Sequence, residues 1–355
     1  MQKSQRSAQK RIIFLDYLRI FAFLSVLIGH KFFSELVSLS EKPWLHETPR
    51  QLLKLLTPLF YGGGSGVVVF FLVSGYIISW SIQTETTTAF FVKRLFRIYP
   101  LFIAAVSIET LLNHGTFSIS RFSLLGDFWG IPYSLGNVEW TLRVELLFYL
   151  FMGILGAFGF FQQNIKHLFP ALFFSLILLQ VLSPFPKNSN LFQSYATTYG
   201  SFLLIGVMFF LLELKIVQLK SVLAITVVSL LQYFYNIAKY HPAYLSSHFA
   251  LYGLVLFVIA WTFRSSFAFS PLVTFVSELT YSVYLFHNWL FDFFYTFLAE
   301  KGMKFVYAKL LAVVPLFVFC FIISRAIEKP ALNFGKYLLH YFYGGGHKKQ
   351  ISDLN

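Results

Sequence analysis

Asp16, Arg19 and His30 are ionisable side chains that interrupt the first long apolar stretch, residues 14–33, and Lys31 follows His30 near its end. Arg19 and His30 are 11 positions apart, so on a helix they project from nearly one face, about 16 Å apart along the axis. A charge inside hydrocarbon costs at least ~2.5 kcal/mol and normally faces a bundle interior or a wet cavity. We therefore expect this helix to line a polar site, with a fixed cation near one end and a titratable base near the other.

A second group of cations, Lys93, Arg94 and Arg97, follows the second apolar stretch. Arg94 and Arg97 share a helix face, and we expect Arg19 at the same depth in the membrane. Guanidinium groups bind phosphate in a planar, bidentate way, so these three arginines predict an anion-binding site. Anchoring at lipid head groups is the alternative for Lys93 and Arg94.

The segment after residue 138 adds a carboxylate, because Thr141, Glu145 and Tyr149 recur at a spacing of four and share a helix face. Glu145 is expected in the same half of the membrane as His30, where it would orient or charge the imidazole. A Glu that is neutralised by a nearby Arg, or protonated, is the alternative. Arg143 lies about 200° from Glu145 around the helix, and we expect it to reach the outer interface.

Several further side chains are candidates to line the same site. Tyr284 and His287 share a helix face at a spacing of three, although a lone intramembrane His is also often a helix-to-helix hydrogen bonder. No metal site is predicted, because Cys320 is the single cysteine and the histidines lack a metal-binding spacing. The possible lining residues are Asp16, Ser74, Tyr76, Trp140, Tyr149, Tyr284, His287 and Glu328.

The composition shows what must position these residues. Of the 355 residues, 57% are hydrophobic and only 12% charged, which excludes soluble enzymes and predicts an all-α, polytopic transmembrane helix bundle. About ten spans are expected, at 12–33, 65–82, 96–114, 141–161, 168–184, 196–213, 219–236, 247–264, 272–298 and 306–325.

The positive charges predict the orientation of the bundle. With the N-terminus inside, cytoplasmic segments hold 16 Lys and Arg and external segments hold 10, so both termini are expected in the cytoplasm. The net charge of +13 is interpreted as this topology signal and not as a sign of nucleic-acid binding. We expect a basic cytoplasmic leader at 1–11, retained because no signal-peptide cleavage site follows it, a membrane domain at 12–325 and a cytoplasmic tail at 326–355.

Taken together, these motifs resemble the acyltransferase-3 family of membrane O-acyltransferases. Each motif is weak alone, but their order and combination are specific, and they extend over nearly the whole chain. The segments that carry the resemblance are Arg19 with His30, FFLVSGYIIS, Lys93-Arg94 with Arg97-Ile98-Tyr99-Pro100, Trp140-Thr141-Leu142 with Glu145 and Phe148-Tyr149, Tyr281-Ser282 with Tyr284-Leu285 and His287, and Glu328 before Pro330.

The resemblance implies transfer of an acetyl or other short acyl group from acyl-coenzyme A to a hydroxyl of an envelope polysaccharide, such as lipopolysaccharide O-antigen. It also implies a multi-pass protein of the bacterial inner membrane, whose partners are acyl-CoA, a glycan or lipid-linked glycan acceptor and membrane lipids. No permanently bound cofactor is expected. Some relatives append a soluble SGNH-type domain; here we expect the membrane domain, or a separate partner, to perform any external transfer.

We expect Arg19, Arg94 and Arg97 to hold the donor phosphates. His30, assisted by Glu145, would take the proton of the acceptor hydroxyl, which is too weak a nucleophile alone at neutral pH. Two alternatives remain open: an acyl-histidine relay through His30, and a proton-coupled transporter or flippase of an anionic solute or glycan precursor. The sequence lacks the internal repeat that is typical of transporters.

Overall fold

The computed structural model describes residues 11–113, 115–161, 166–186 and 194–343. Within these ranges the chain is helical and contains no strand. The α-helices are α1 (Ile13–Lys31), α2 (Phe33–Ser40), α3 (Glu47–Phe60), α4 (Gly64–Thr84), α5 (Thr87–Leu112), α6 (Trp140–Ala157), α7 (Phe169–Leu182), α8 (Tyr195–Glu213), α9 (Leu219–Tyr240), α10 (Phe249–Thr262), α11 (Pro271–Phe286), α12 (Trp289–Glu300), α13 (Phe305–Ile323) and α14 (Lys329–Tyr343).

The helices confirm the predicted class, a polytopic helical membrane protein. Among the described residues, seven helical stretches are long and apolar enough to cross a membrane, and α7 and α10 are shorter apolar helices. The seven stretches are Ile13–Lys31, Glu47–Thr84, Thr87–Leu112, Trp140–Ala157, Tyr195–Glu213, Leu219–Tyr240 and Phe305–Phe342. The count of ten spans and the cytoplasmic termini stay predictions, and the leader lies outside the described residues except for Arg11.

The ninth predicted span, 272–298, is broken in the structure. Helix α11 ends at Phe286 and α12 begins at Trp289. Two side chains form hydrogen bonds with carbonyl groups in the last turn of α11. Nδ1 of His287 lies 2.7 Å from the Tyr284 carbonyl oxygen, and the Trp289 indole donates to the Leu285 carbonyl. These contacts compete with the backbone ladder, so the helix stops where the sequence pattern continues.

Helix α4 lies at the centre of the bundle, packed against α1, α8 and α10. Small residues permit this close packing. A Cβ atom on Gly75 would lie 2.0 Å from the backbone oxygen of Leu203 in α8, and one on Gly66 would lie 2.3 Å from that of Ala22 in α1. The close approach of α1 to α4 brings the ionisable face of the first helix into the interior.

Candidate active site

The two predicted groups on α1 open into two different cavities. Arg19 lines a first cavity beside the N-terminal part of the helix, with a volume of about 870 Å³ including its open side. His30 lines a second cavity beside the C-terminal end, of about 1220 Å³. We call them the cationic cavity and the histidine cavity. The spacing of Arg19 and His30 along α1 therefore places one of the two groups in each cavity.

The cationic cavity gathers the three predicted arginines. Arg94 and Arg97 of α5 line it with Arg19, as do Glu145 and Tyr149 of α6. Tyr281 and Tyr284 of α11 also line it. The cavity is therefore bounded by helices far apart in sequence, and it brings the three arginines together.

Carboxylates lie near these arginines, but few of them bond the guanidinium groups directly. Asp16 lies 3.7 Å from the Arg19 guanidinium but 2.5 Å from that of Arg11, which is its closer partner. Arg94 donates to the Ser81 hydroxyl, a neutral group, at 2.6 Å. Arg97 makes no side-chain hydrogen bond or ion pair with the part of the chain that the structure describes. The cavity therefore has free capacity for an anionic ligand.

Glu145 belongs to the cationic cavity and not to the histidine cavity. Its carboxylate accepts a hydrogen bond from the Ser74 hydroxyl at 2.7 Å and also bonds Tyr149 on the next turn of α6. The expected assistance of His30 by Glu145 is thus not formed in this structure. The sequence indicated a shared half of the membrane, but the face of α6 that carries Glu145 points at α4 instead of at the end of α1.

His30 pairs with the second candidate histidine. Nδ1 of His30 lies 3.0 Å from Nε2 of His287, and Nδ1 of His287 lies 2.7 Å from the Tyr284 carbonyl oxygen. A carbonyl only accepts, so the hydrogen of neutral His287 is on Nδ1 and its Nε2 is an acceptor. Donation from Nδ1 of His30 to this acceptor completes the pair, and in that tautomer Nε2 of His30 keeps its lone pair. That tautomer is the one a general base needs.

A glycine-rich turn supports His30 from the other side. The Gly62 backbone carbonyl is a second acceptor beside the His30 ring, and Gly62 and Gly63 have φ of +54° and +69°. A Cβ on Gly29 would lie 2.2 Å from the Gly63 backbone nitrogen, so the turn and α1 are in backbone contact. These glycines permit the close packing and the left-handed backbone of the turn.

The two cavities adjoin at a neck. Val26, Val67 and Tyr284 line both of them. The Tyr284 hydroxyl donates to the Val138 carbonyl at 2.6 Å and lies 2.5 Å from the Thr141 hydroxyl, while its ring stacks on Phe70. These three side chains therefore separate the space beside the arginines from the space beside the histidine pair.

The remaining candidates fall inside and outside this site. Trp140 lines the histidine cavity, and Ser74 and Tyr149 line the cationic one. Asp16, Tyr76 and Glu328 line neither. The Tyr76 hydroxyl instead donates to Glu213 at 2.7 Å, and Asp16 accepts from Ser277 at 2.8 Å in addition to its arginines. Glu328 accepts from Ser324 at 2.9 Å and interacts electrostatically with Arg97.

The prediction that Arg143 reaches the outer interface is wrong. Its side chain is 1% exposed and lies 2.7 Å from the Asp127 carboxylate, and it donates to the carbonyls of Ile131 and Pro132. Burial raises the pKa of the Asp127 carboxyl above its ordinary value, and the guanidinium opposes that shift. The segment between α5 and α6 folds back and supplies this carboxylate. Arg143 therefore has an anionic partner inside the protein and does not extend to the outer interface.

Sequence reasoning missed several residues of the histidine cavity. Asn137 and Asn288 bring side-chain amides to it, and Tyr195, Tyr199 and His241 bring aromatic rings. The spacing of four between Tyr195 and Tyr199 was a usable signal, since it places both rings on one face of α8. The amides carried no spacing signal, because both lie in turns next to helices and not within a helix.

The fold and the cavities define a polytopic helical membrane protein with a cationic site beside a histidine site. The family model for the acyltransferase domain matches residues 12–329, so the chain belongs to the acyltransferase-3 family. This membership favours acyl transfer over transport of an anionic solute or a glycan precursor.

A characterised relative supports the same family. Nodulation protein 10 of Rhizobium leguminosarum bv. viciae is 31% identical over 169 residues, which cover 39% of this chain and 43% of that protein. The chain thus spans less than half the length of this relative. No solved structure matches the chain significantly.

Proposed function

We propose that this protein transfers an acetyl or other short acyl group from acyl-CoA to a hydroxyl of an envelope polysaccharide, such as lipopolysaccharide O-antigen, in the bacterial inner membrane. One observation carries the proposal. A cavity with three arginines and a cavity with a paired base share the lining residues Val26, Val67 and Tyr284. Two-substrate transfer requires such an arrangement, in which each substrate has its own binding space and the reacting atoms meet between them.

The cationic cavity suits the donor. Coenzyme A carries several phosphate charges on a long, thin arm that ends in the thioester. Arg19, Arg94 and Arg97 would hold the phosphates at the predicted cytoplasmic side, because Arg–phosphate hydrogen bonds are charge-assisted and directional. The arm would then extend along the apolar wall toward the neck.

The histidine cavity suits the acceptor. As the hydroxyl oxygen attacks the thioester carbonyl carbon, the new C–O bond forms and the C–S bond breaks. Nε2 of His30 takes the hydroxyl proton, and His287 stabilises the imidazolium through the hydrogen bond at Nδ1. The thiolate of coenzyme A leaves and is protonated afterwards. Glu145, next to the arginines, would act on the donor side.

An acyl-histidine relay remains the variant of this mechanism, in which Nε2 of His30 attacks the thioester first. Incubation with labelled acetyl-CoA alone separates the two routes. A label trapped on His30, identified by mass spectrometry of the peptide that contains it, supports the relay. A requirement for both substrates before any coenzyme A is released supports direct transfer.

The function is tested by comparing surface polysaccharide from bacterial cells with and without the protein, by mass spectrometry and NMR. We expect a mass increase of one acyl group per modified unit and a shifted proton signal at the esterified position. The matched control is His30→Ala, which should reach the membrane at normal abundance without producing the ester. An unchanged polysaccharide in cells that contain the normal protein contradicts the proposed acceptor class.

A further inference from the structure

The histidine cavity differs from the cationic cavity in its charge. Around it, among the residues that the structure describes, no Lys, Arg, Asp or Glu lines the space. The nearby cation, Lys31, is turned to Asp292, with its ammonium 2.7 and 2.8 Å from the two carboxylate oxygens. A ligand in this cavity would therefore meet amides, hydroxyls, imidazoles and aromatic rings, but no fixed counter-charge.

One wall of the histidine cavity is a stack of rings. Trp140 stacks on Tyr195 with ring centroids 4.3 Å apart, and Tyr195 stacks on His241 at 5.4 Å. Both faces of Tyr195 are covered in this stack, so the wall presents ring edges and neutral polar atoms, against which an uncharged sugar can pack while its hydroxyls find donors and acceptors. Asn137 and Asn288, which also line the cavity, provide both.

A charged group in this cavity would be penalised. A carboxylate or phosphate that leaves water loses its hydration, and the loss is recovered only where a cation or several donors replace it. We infer that the histidine cavity takes an uncharged sugar unit at the acylated position and discriminates against sugars that bear a carboxylate or phosphate. This inference rests on the proposed function and specifies its acceptor.

The cationic cavity of the same chain has the lining expected for an anion-binding site. In the cationic cavity, Arg19, Arg94 and Arg97 converge from two helices. The two linings therefore favour substrates of different charge. The anionic donor gains binding free energy in the cationic cavity and would lose it in the histidine cavity.

The test compares two acceptors that differ in one group, methyl glucoside and methyl glucuronide. The full-length protein, in nanodiscs of zwitterionic lipid, receives labelled acetyl-CoA and either glycoside, and ester formation is measured at equal concentrations. We expect kcat/KM for the glucoside to exceed that for the glucuronide by about tenfold or more, the ratio that roughly 1.4 kcal/mol of discrimination produces. Equal rates, or a preference for the glucuronide, would overturn the inference.

A charge introduced into the cavity should reverse the preference. Asn288→Lys places a cation in the lining, and the ratio of glucuronide to glucoside transfer should rise by about tenfold. Only the ratio is compared, so any loss shared by both acceptors cancels. Asn288→Gln at the same position and Asn113→Lys at the exposed end of α5 should leave the ratio unchanged. A ratio that rises equally with Asn113→Lys contradicts a local effect.

The failure of this inference can be told apart from the failure of the proposed function. If acetyl-CoA donates to neither glycoside nor to isolated envelope polysaccharide, the proposed function is wrong. If the polysaccharide is acylated but neither glycoside is, the cavity does not accept a single uncharged sugar unit and the inference is wrong. If transfer to the glucuronide is as fast as transfer to the glucoside, the inference is wrong but the proposed function stands.

Discussion

Nδ1 of His30 in α1 lies 3.0 Å from Nε2 of His287, which caps the end of α11. The two rings are stacked, with centroids 5.1 Å apart. Because the Tyr284 carbonyl accepts from Nδ1 of His287, Nε2 of His287 is the nitrogen that can accept from His30. His287 is therefore a positioning residue, which keeps the lone pair of His30 on Nε2.

Replacing His287 should impair the chemical step and not donor binding. In His287→Ala, His30 loses the acceptor that selects its tautomer, and we expect kcat to fall by about 10- to 100-fold. The KM for acetyl-CoA should stay within about twofold, because the donor is held in the other cavity. Steady-state kinetics on the protein in nanodiscs measures both. His287→Gln retains an amide oxygen that can accept from Nδ1, so it should recover part of the loss.

The control for this prediction is His340→Ala, on the exposed face of α14, which should retain full activity. A purely structural role for His287 would give a different pattern: Ala and Gln would both lower the amount of folded protein, and the specific activity of the folded fraction would be normal. That pattern would contradict the positioning role.

Arg97 should contribute to donor affinity. Its guanidinium lines the cationic cavity without a hydrogen-bonded partner among the described residues, so Arg97→Ala removes hydrogen-bond donors that the ligand would use. The loss of one charge-assisted hydrogen bond is worth about 1.5–3 kcal/mol, or roughly 10- to 150-fold in Kd. We expect the KM for acetyl-CoA to rise by that factor, with a smaller change in kcat. Isothermal titration with coenzyme A checks the affinity directly.

A matched control for Arg97 is Arg325, an exposed arginine whose guanidinium packs on the Phe321 ring. Arg325→Ala removes the same charge from the protein but not from the cavity, so donor affinity should be unchanged. Equal losses in both variants would show that the net charge of the protein, and not the cavity, attracts the donor.

A substitution at the neck should separate coenzyme A binding from acyl transfer. Val67 lines both cavities, and Val67→Phe adds a ring where the acyl end of the donor would pass. Coenzyme A should still bind to the arginines, while transfer should fall by about 100-fold, since small misplacements of reacting groups have effects of this size. Val67→Ala, which widens the neck, should remain active. Loss of coenzyme A binding in Val67→Phe would place the donor elsewhere.

The sequence predicts the helices and the cationic cavity well, for a clear physical reason. Helical periodicity alone puts Arg19 and His30 on one face of α1, and the cost of a buried charge turns that face inward. The same periodicity pairs Arg94 with Arg97. These features depend on local spacing within single helices, which a sequence displays directly.

Contacts between helices are harder to predict. The spacing of three between Tyr284 and His287 indicates a shared face, but nothing local shows that this face meets His30 across the bundle. The assignment of Glu145 to His30 used depth alone, and depth does not determine the direction in which a helix face points. The same holds for Arg143, because its partner Asp127 lies in irregular backbone.

The buried pair of Arg143 and Asp127 should stabilise the segment between α5 and α6, whose end lines the histidine cavity. Arg143→Met leaves a buried carboxylate unpaired, which costs about 3–5 kcal/mol and should lower the apparent Tm by roughly 10 °C. Arg143→Met combined with Asp127→Leu removes both charges and should recover much of that loss. Thermal unfolding in detergent measures the Tm of the normal protein and of the two variants.

The control is Lys329→Met, which breaks a pair with Glu278. The side chains of that pair are 34% and 39% exposed, so its loss should cost at most about 1 kcal/mol. If the double variant is less stable than Arg143→Met alone, the destabilisation does not come from an unpaired charge.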